Sequence, residues 1–114
     1  MADCLFCKIC EGKIPAKVVY RDTSCIGFDD INPQAPTHVI FVPLAHIETL
    51  NDLTSEDREK VGHLVVAAAK VAKERGHAEN GYRVLMNCNR DAGQSVFHIH
   101  LHLLGGRAMA WPPG

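Results

Sequence analysis

A strict alternation of histidine and apolar residues near the C-terminus constrains this chain more than any other feature. His98, His100 and His102 alternate with apolar side chains along QSVFHIHLHLLGGR, residues 94–107. A period of two predicts a half-buried β-strand, because successive side chains of a strand point to opposite faces. We therefore predict a strand over Phe97–Leu104, with its apolar side chains in a core and the three imidazoles in a row on the other face.

The spacing of this histidine row limits its chemistry. A strand rises about 3.3 Å per residue, so His98 and His102 start about 13 Å apart. Three imidazoles spread over that length do not converge on one metal ion, although two of them can share one. The row suits an extended anionic substrate better, with one imidazole as the nucleophile and the others as hydrogen-bond donors or as the acid. The alternative is a polar strand face that arose by chance.

The rest of the chain predicts an α+β domain built on an antiparallel sheet. Apolar and β-branched runs predict strands at Val18–Arg21, Cys25–Asp29, Thr37–Val42 and Tyr82–Cys88. Residues 4–11 form a short helix or a turn. One long helix begins at Thr54 and ends at Gly76, and its predicted buried stripe is Val61, Leu64, Val65, Ala68 and Ala72. The order of the elements suggests that the helices lie on one face of the sheet.

Length and composition narrow the possible classes. The 114 residues suffice for one domain, residues 1–114, and are too few for two. A net charge of −1 gives no basic field for nucleic acid, and no apolar stretch is long enough to span a membrane. The N-terminus lacks the basic and apolar regions of a signal peptide, so we expect a cytoplasmic location. Five cysteines, an odd number, argue against a disulfide framework.

The histidine row and several other segments together resemble a known family. His98-x-His100-x-His102 followed by apolar residues resembles the signature of the histidine-triad (HIT) superfamily of nucleotide hydrolases and transferases. The segments GQSVFHIHLHLLGGR, AWPPG, DINPQAPTH and IPAKVVYRD are similar to its Hint branch, the purine nucleoside phosphoramidases. The resemblance spans nearly the whole chain. It implies a five-stranded HIT-like sheet with one long and one short helix. It also implies a homodimer with a ten-stranded sheet, in which the Trp111 tail reaches toward the partner's site.

The resemblance implies hydrolysis of purine nucleoside 5′-phosphoramidates, with release of AMP or GMP from an amine. His100 is expected to attack the α-phosphorus and form a covalent nucleotidyl-histidine, while His102 donates to a phosphate oxygen. His38 and Ser95 are the candidates that protonate the leaving amine. One alternative is a dinucleoside polyphosphate hydrolase, which the QSV flank and the WPPG tail disfavour. Another is a zinc-stabilised nucleotide-binding or scaffold protein, which the intact triad disfavours.

The same resemblance implies a set of nucleotide contacts. Asp30 and Ile31 match the residues that hold the ribose and the base, and an ionised carboxylate can accept both ribose hydroxyls. Ile26 and Phe28 precede them at alternating positions and are candidates to line the purine pocket. For at least one of these two, burial in the core is the favoured alternative. The contacts expected for the phosphate and the leaving group are Asn87, Gly93, Ser95 and Val96, together with His100 and His102.

A pair of cysteines near the N-terminus suggests a metal site. Cys4-x-x-Cys7 is one half of a common zinc arrangement. Resemblance to the zinc-binding bacterial members of the Hint group implies His46 and His98 as the other two ligands of a structural Zn²⁺. The alternatives are that His98 orients the middle histidine of the row, and that the thiols are reduced and bind no metal. Cys10 is not expected to be a ligand.

Overall fold

The computed structural model describes residues 3–114, an antiparallel sheet with helices on both faces. The elements are α1 (Leu5–Cys10), β1 (Val18–Arg21), β2 (Cys25–Asp29), β3 (Thr37–Pro43), α2 (Arg58–Glu74), β4 (Tyr82–Leu85), α3 (Asn89–Ala92) and β5 (Leu101–Gly105). Within the described residues the sheet has five strands in the order β1-β2-β3-β5-β4, and all neighbouring strands are antiparallel. The predicted α+β class and five-stranded antiparallel sheet are confirmed.

The first three strands follow the prediction closely. β1 and β2 have the predicted bounds, and β3 runs one residue further, to Pro43. The hairpin between β1 and β2 turns at Asp22, whose Oδ1 accepts the backbone N–H groups of Ser24 and Cys25 at 2.8 and 2.9 Å. Such side-chain acceptors commonly stabilise tight turns. β4 ends earlier than predicted, at Leu85, and the polar segment after it contains the unpredicted helix α3.

The prediction of a strand over Phe97–Leu104 is wrong in its first half. β5 begins at Leu101, and the residues before it form a bend and an extended segment. Phe97, which we expected in the core, is 46% exposed. The ladder with β3 stops where Leu101 pairs with Phe41, so the preceding residues have no strand partner there. The three histidines therefore do not share one strand face, since only the last of them lies on β5.

The two longer helices lie on opposite faces of the sheet, so the prediction that the helices share one face is wrong. Alternate residues of β3 separate the two cores: Val39 and Phe41 pack toward α2, whereas Ile40 and Val42 pack toward α1. The core on the α1 side consists of Phe6, Ile9, Ile26, Phe28, Ile40 and Val42. A helix of six residues carries too little periodicity to show which face it covers.

Helix α2 is capped as predicted. Thr54 and Asp57 form a capping box around a 3₁₀ turn that leads into the helix. Gly76 adopts a left-handed φ of 83°, and the N–H of His77 donates to the carbonyl of Ala72 at 2.8 Å, which closes the C-terminus in a Schellman motif. In residues 3–114 no helix combines the length and the apolar character needed to cross a membrane.

The buried side of α2 differs in part from the predicted stripe. Its buried residues are Leu64, Ala67, Ala68, Val71 and Ala72. Val65, which we predicted to be buried, is 43% exposed. Two histidines of this region have side-chain partners: His77 Nε2 lies 2.7 Å from Thr37 Oγ1, and His63 Nε2 lies 2.6 Å from Asp22 Oδ2. Periodicity located the apolar side of α2 approximately, and packing against the sheet determined which residues of that side are buried.

The close approach of β2 and β3 at Gly27 generates a test of the packing. A Cβ added at Gly27 would lie 2.7 Å from Cε1 of Phe41, whose ring is fully buried. We expect Gly27→Ala to lower the free energy of unfolding by about 1–3 kcal/mol, because the ring cannot move without disturbing the core. Gly62→Ala on α2, where a Cβ meets nothing within 4 Å, should raise it by roughly 0.5–1 kcal/mol. Urea unfolding measures both variants, and similar changes in the two would contradict this packing argument.

Candidate active site and metal cluster

Three histidines gather on the face of the sheet that α1 covers. His38 lies on β3 and His102 on β5, and their ring centroids are 5.1 Å apart. The ring of His100 lies 5.0 Å from that of His102. Phe6 of α1 packs edge-on against His100, with ring centroids 4.9 Å apart. The fold therefore brings His38 beside the row, although 64 residues separate it from His102.

The backbone determines the protonation of His100. Its Nδ1 lies 2.8 Å from the backbone oxygen of His98. A carbonyl only accepts, so this bond assigns the proton to Nδ1 and leaves a lone pair on Nε2. Burial lowers the pKa of His100, which favours the neutral imidazole. A neutral imidazole with an unprotonated nitrogen is suited to act as a nucleophile.

His102 receives the opposite tautomer through His38. The backbone N–H of Gln34 donates to His38 Nδ1 at 3.0 Å, which places the proton of neutral His38 on Nε2. That Nε2–H donates to His102 Nδ1 at 2.9 Å, so His102 carries its own proton on Nε2. Burial, with repulsion from His100 and His38, lowers the pKa of His102 to about 4. His102 is therefore neutral at pH 7, with one N–H to donate. Nothing in the sequence singled out Gln34.

The carboxylate of Asp30 lies at the edge of this histidine group. Its Oδ1 accepts the backbone N–H of Asn32 at 2.8 Å, and its Oδ2 lies 3.4 Å from His38 Nε2. Burial lowers the pKa of His38, and the negative charge of Asp30 opposes that effect. The Asp30 side chain is 18% exposed, so it can still accept hydrogen bonds from a ligand.

An apolar cavity of about 370 Å³ lies next to Asp30, between α1 and the sheet. Its apolar wall includes Leu5, Phe6, Ile9, Phe28 and Ile40. Such a cleft suits a flat ring. Ile31 is exposed at the mouth of this cavity. Ile26 is fully buried in the core, which agrees with the alternative favoured above for at least one of Ile26 and Phe28. The α1 side of this wall was not predicted, because nothing in the sequence showed that the helix lies here.

Four residues from three separate segments converge beside the histidine group. Ligand atoms of Cys4, Cys7, His46 and His98 all lie within 4.8 Å of one another. Cys7 Sγ lies 3.3 Å from His46 Nδ1 and 3.5 Å from His98 Nδ1, and the two nitrogens are 3.2 Å apart. Cys4 Sγ lies 3.4 Å from His98 Nδ1. These four residues, the predicted metal ligands, form a cluster that can hold a metal ion, and we call it the metal cluster.

His98 links the metal cluster to His100. Its imidazole is fully buried, and Nε2 lies 2.8 Å from the carbonyl oxygen of Pro43. That bond assigns the proton to Nε2 and leaves Nδ1 free to bind a metal. The backbone carbonyl of the same residue holds His100. Nδ1 of His98 therefore belongs to the metal cluster while its carbonyl orients His100, so the two roles that the sequence left as alternatives are compatible in one residue.

A second cavity, of about 440 Å³, borders the metal cluster. Ser95 and Val96 lie along it, and so do Cys4 and His46 of the cluster. Ser95 is exposed, which leaves its hydroxyl accessible. The structure therefore places Ser95 and Val96 together, on the side of the site where the metal cluster lies.

The loop that carries Ser95 is held by Gln94, a residue that sequence reasoning missed. The buried side chain of Gln94 donates to two backbone carbonyls at 2.8 and 3.1 Å, and its Oε1 accepts the N–H of Asn89 at 2.8 Å. Gly93 ends α3 in a left-handed conformation with a φ of 85°, and Asn87 lies half-buried just after β4. In the sequence, Gln94 is marked only by its position between Gly93 and the histidine row.

Comparisons with known proteins agree with this arrangement. The HIT domain family model matches residues 11–109, so Cys4 and Cys7 lie outside the matched region. The chain is 48% identical over 105 residues to the purine nucleoside phosphoramidase of Escherichia coli (strain K12). That alignment covers 92% of this chain and 88% of the relative.

Solved structures give the same assignment. A HIT family hydrolase from Legionella pneumophila Philadelphia 1 superimposes with a TM-score of 0.96 at 52% identity, over 98% of this chain and all of that one. A Zn-bound histidine triad family protein from Mycobacterium smegmatis superimposes with a TM-score of 0.80 at 32% identity, over 93% of this chain and 76% of that one. The family match and this close agreement in sequence and fold confirm the resemblance: the chain belongs to the HIT domain family.

Proposed function

We propose that this HIT-family protein is a hydrolase that cleaves the P–N bond of purine nucleoside 5′-phosphoramidates and releases AMP or GMP. The proposal rests on the opposite tautomers of two neighbouring imidazoles. Nε2 of His100 has a lone pair with which to attack, and Nε2 of His102 has a proton to donate. The substrate class is supported by the E. coli relative, which is a purine nucleoside phosphoramidase 48% identical to this chain.

In the proposed reaction Nε2 of His100 attacks the α-phosphorus, the P–N bond breaks, and the amine leaves with an added proton. The bond from Nδ1–H to the carbonyl of His98 stabilises the positive charge that the imidazole acquires. The Nε2–H of His102 donates to a phosphate oxygen, where negative charge accumulates. Water then attacks the nucleotidyl-histidine, and its proton passes to the group that protonated the amine. The bond between phosphorus and Nε2 breaks, which releases the nucleoside monophosphate and free His100.

The leaving amine has two proposed proton sources. Ser95 is exposed along the second cavity, so its hydroxyl is accessible to the amine. His38 is buried and already donates to His102. We therefore expect His38 to act through His102, by maintaining its donor tautomer and by relaying a proton, while Ser95 contacts the leaving group.

The nucleoside fits the apolar cavity beside these histidines. We place the base between α1 and Phe28, and the ribose hydroxyls on the carboxylate of Asp30. Ile31 at the mouth then covers the outer side of the base. The proposed contacts to the phosphate and the leaving group are Asn87, Gly93, Ser95 and Val96, together with His100 and His102.

We propose Zn²⁺, in a structural role, as the ion of the metal cluster. Tetrahedral zinc holds sulfur at about 2.3 Å and imidazole nitrogen at about 2.1 Å, which places such ligands about 3.5 Å apart. The observed sulfur–nitrogen distances of 3.3–3.5 Å suit that geometry. Burial and the neighbouring Cys4 raise the pKa of Cys7 to about 11, so a dication would supply the charge that favours the thiolate.

Two further observations support zinc and a reducing location. The M. smegmatis relative is a Zn-bound protein that shares this fold. All five cysteines lie within residues 3–114 and are free thiols, which suits the proposed cytoplasmic location. Four protein ligands would leave no open position on the ion, so zinc would supply rigidity to the site and would take no part in the attack on phosphorus.

The metal cluster predicts a selective effect of cysteine substitution. Cys7→Ser should reduce the zinc content of the purified protein from about one ion per chain to well below half, and should lower the Tm by roughly 5 °C or more. Cys10→Ser on the same helix is the matched control and should keep both values, because Cys10 is not part of the cluster. Mass spectrometry for zinc and thermal unfolding give the two readings. Equal zinc contents in the two variants would show that Cys7 is not a zinc ligand.

The catalytic assignment predicts that His100→Ala loses at least about 10³-fold in kcat/KM for AMP release from an adenosine 5′-phosphoramidate of tryptamine or lysine. His63→Gln is the control: His63 lies on α2, where its imidazole is hydrogen-bonded to Asp22, and this variant should keep near-normal rates. Faster cleavage of diadenosine polyphosphates than of AMP-amines would instead favour a dinucleoside polyphosphate hydrolase. Equal slow rates in wild type and His100→Ala, with nucleotide still bound, would indicate a binding protein.

We also propose a homodimer in which two sheets join at β4 into one of ten strands. β4 and β1 are the two edges of the sheet, and β1 carries a bulge between Val18 and Tyr20 that disfavours edge pairing. Exposed apolar residues accompany the β4 edge: Tyr82 lies on the strand itself, and Val65 and Val66 lie on α2, which packs against β4. Exposed apolar patches of this kind commonly form interfaces.

The C-terminal tail supports the same arrangement. The side chain of Arg83 on β4 donates to the carbonyl of Ala110 at 3.0 Å, which holds the tail beside the free edge. Trp111 follows and is 82% exposed in the protomer. An exposed tryptophan this large favours burial against another surface, so we place it near the partner's site.

The dimer predicts a charge-sensitive interface on α2. Val66→Glu should convert a particle of about twice 12.5 kDa into a monomer, because a carboxylate would be buried without a partner. Val18→Glu on the opposite edge is the control, because Val18 is also an exposed valine. Val18 lies outside the proposed interface, so this variant should leave the mass unchanged. Sedimentation velocity measures both variants. A wild-type monomer, or a dimer that both variants retain, would contradict the proposed interface.

A further inference from the structure

Helix α1 and its N-cap residue contribute side chains to two sites. Cys4 caps its N-terminus, and the sulfurs of Cys4 and Cys7 belong to the metal cluster. Leu5, Phe6 and Ile9, from the same helix, line the apolar cavity proposed for the base. Six residues make fewer than two helical turns, so the helix moves as one unit. A shift of its cysteines therefore shifts the wall of the cavity.

The attachment of α1 to the sheet depends heavily on those two sulfurs. Within residues 3–114, the backbone hydrogen bonds of residues 4–10 reach no further along the chain than Ile14, so the hydrogen-bond contacts that join α1 to the sheet and its loops are those of the two thiols with His46 and His98. Apolar packing supplies the remainder, with the Phe6 ring 5.5 Å from that of Phe28. A helix this short does not persist alone in water. Ligation of a metal ion is therefore a large part of what would hold the cavity wall in place.

The metal cluster also reaches the nucleophile by a second route. Nδ1 of His98 faces the cysteine sulfurs, while the carbonyl of the same residue accepts from Nδ1 of His100. The loop before β5 has no strand partner at this point; the Ile99 N–H donates to the carbonyl of Ile47 at 2.7 Å, and the imidazole of His98 attaches the loop to the carbonyl of Pro43 and faces the metal cluster. Movement of His98 would change the direction in which His100 is held.

We infer that metal occupancy sets the affinity of the nucleotide site, through the cavity wall on α1 and through His98. The inference rests on the proposed function in one respect, namely that the ligand is a purine nucleotide. Coupling between two binding sites is reciprocal, so a bound nucleotide must strengthen metal binding by the same factor. An ion that only stabilised the fold at a distance from the cavity would show no such coupling in the folded protein.

The first measurement compares AMP binding to the zinc-loaded and the chelator-stripped protein by calorimetry at low temperature. AMP carries no P–N bond, so turnover does not enter the result. Circular dichroism establishes that the stripped protein is folded under these conditions. We expect the Kd for AMP to rise roughly tenfold or more on metal removal. Equal Kd values for the two folded forms would overturn the inference.

The second measurement keeps the inference testable if the stripped protein unfolds. Zinc release from the loaded protein to a chromogenic chelator is followed with and without saturating AMP, and we expect AMP to slow it by roughly tenfold. Hydrogen exchange of β3 amides in the same samples must be slower than zinc release, which shows that the metal leaves the folded state. Identical release rates with and without AMP would refute the coupling.

The control variant and the independent assay separate the possible failures. Cys10→Ser keeps all four ligands and should reproduce the wild-type coupling. If AMP binds the loaded and the stripped forms equally while the phosphoramidate is still hydrolysed, the inference fails and the proposed function stands. If AMP does not bind the loaded protein and AMP-amines are not cleaved, the proposed function fails and the coupling fails with it.

Discussion

The hydrogen bond from Nδ1 of His100 to the carbonyl of His98 is the contact on which the proposed chemistry depends. It joins two buried residues at 2.8 Å and fixes which nitrogen of the nucleophile lacks a proton. The acceptor is itself held, because the imidazole of His98 bonds to the carbonyl of Pro43 and faces the cysteine sulfurs. The orientation of the nucleophile therefore depends on a residue whose side chain belongs to the metal cluster.

A single backbone donor, the N–H of Gln34, fixes the tautomers of His38 and His102. The N–H of Gln34 donates to His38, His38 donates to His102, and the last nitrogen in the series keeps a proton to offer. Burial lowers the pKa of His38, His100 and His102, so all three stay neutral and each has one donor and one acceptor nitrogen. Two neighbouring imidazoles of the same chemical type thereby acquire opposite tautomers, which suit the proposed roles of nucleophile and hydrogen-bond donor.

The two faces of the sheet differ: one carries the larger apolar core under α2, and the other, which we call the chemical face, carries the histidines under α1. Toward α2, β3 and β5 present apolar side chains such as Val39 and Leu103, which pack on the alanines of the helix. Toward α1, the same strands present His38 and His102. Because alternate residues of one strand serve both faces, the core on one side positions the imidazoles on the other. The short helix that covers the chemical face brings two metal ligands and the wall of the apolar cavity.

The sequence by itself determined the α+β class, the strands β1 and β2 and both caps of α2, and it named the histidines of the row and, through the family resemblance, the four residues of the metal cluster. These are readable because turn chemistry, capping and alternation act between neighbours in the chain, and because the motif residues have fixed spacing. Only the tertiary structure decided that β5 begins at Leu101, that α1 covers the opposite face from α2, and that Gln34 and Gln94 support the site. Those features depend on partners far away in the chain, such as the strand where a ladder ends or the backbone carbonyl that accepts a hydrogen bond from Gln94. Periodicity shows which side of an element is apolar, but it does not show what packs against that side.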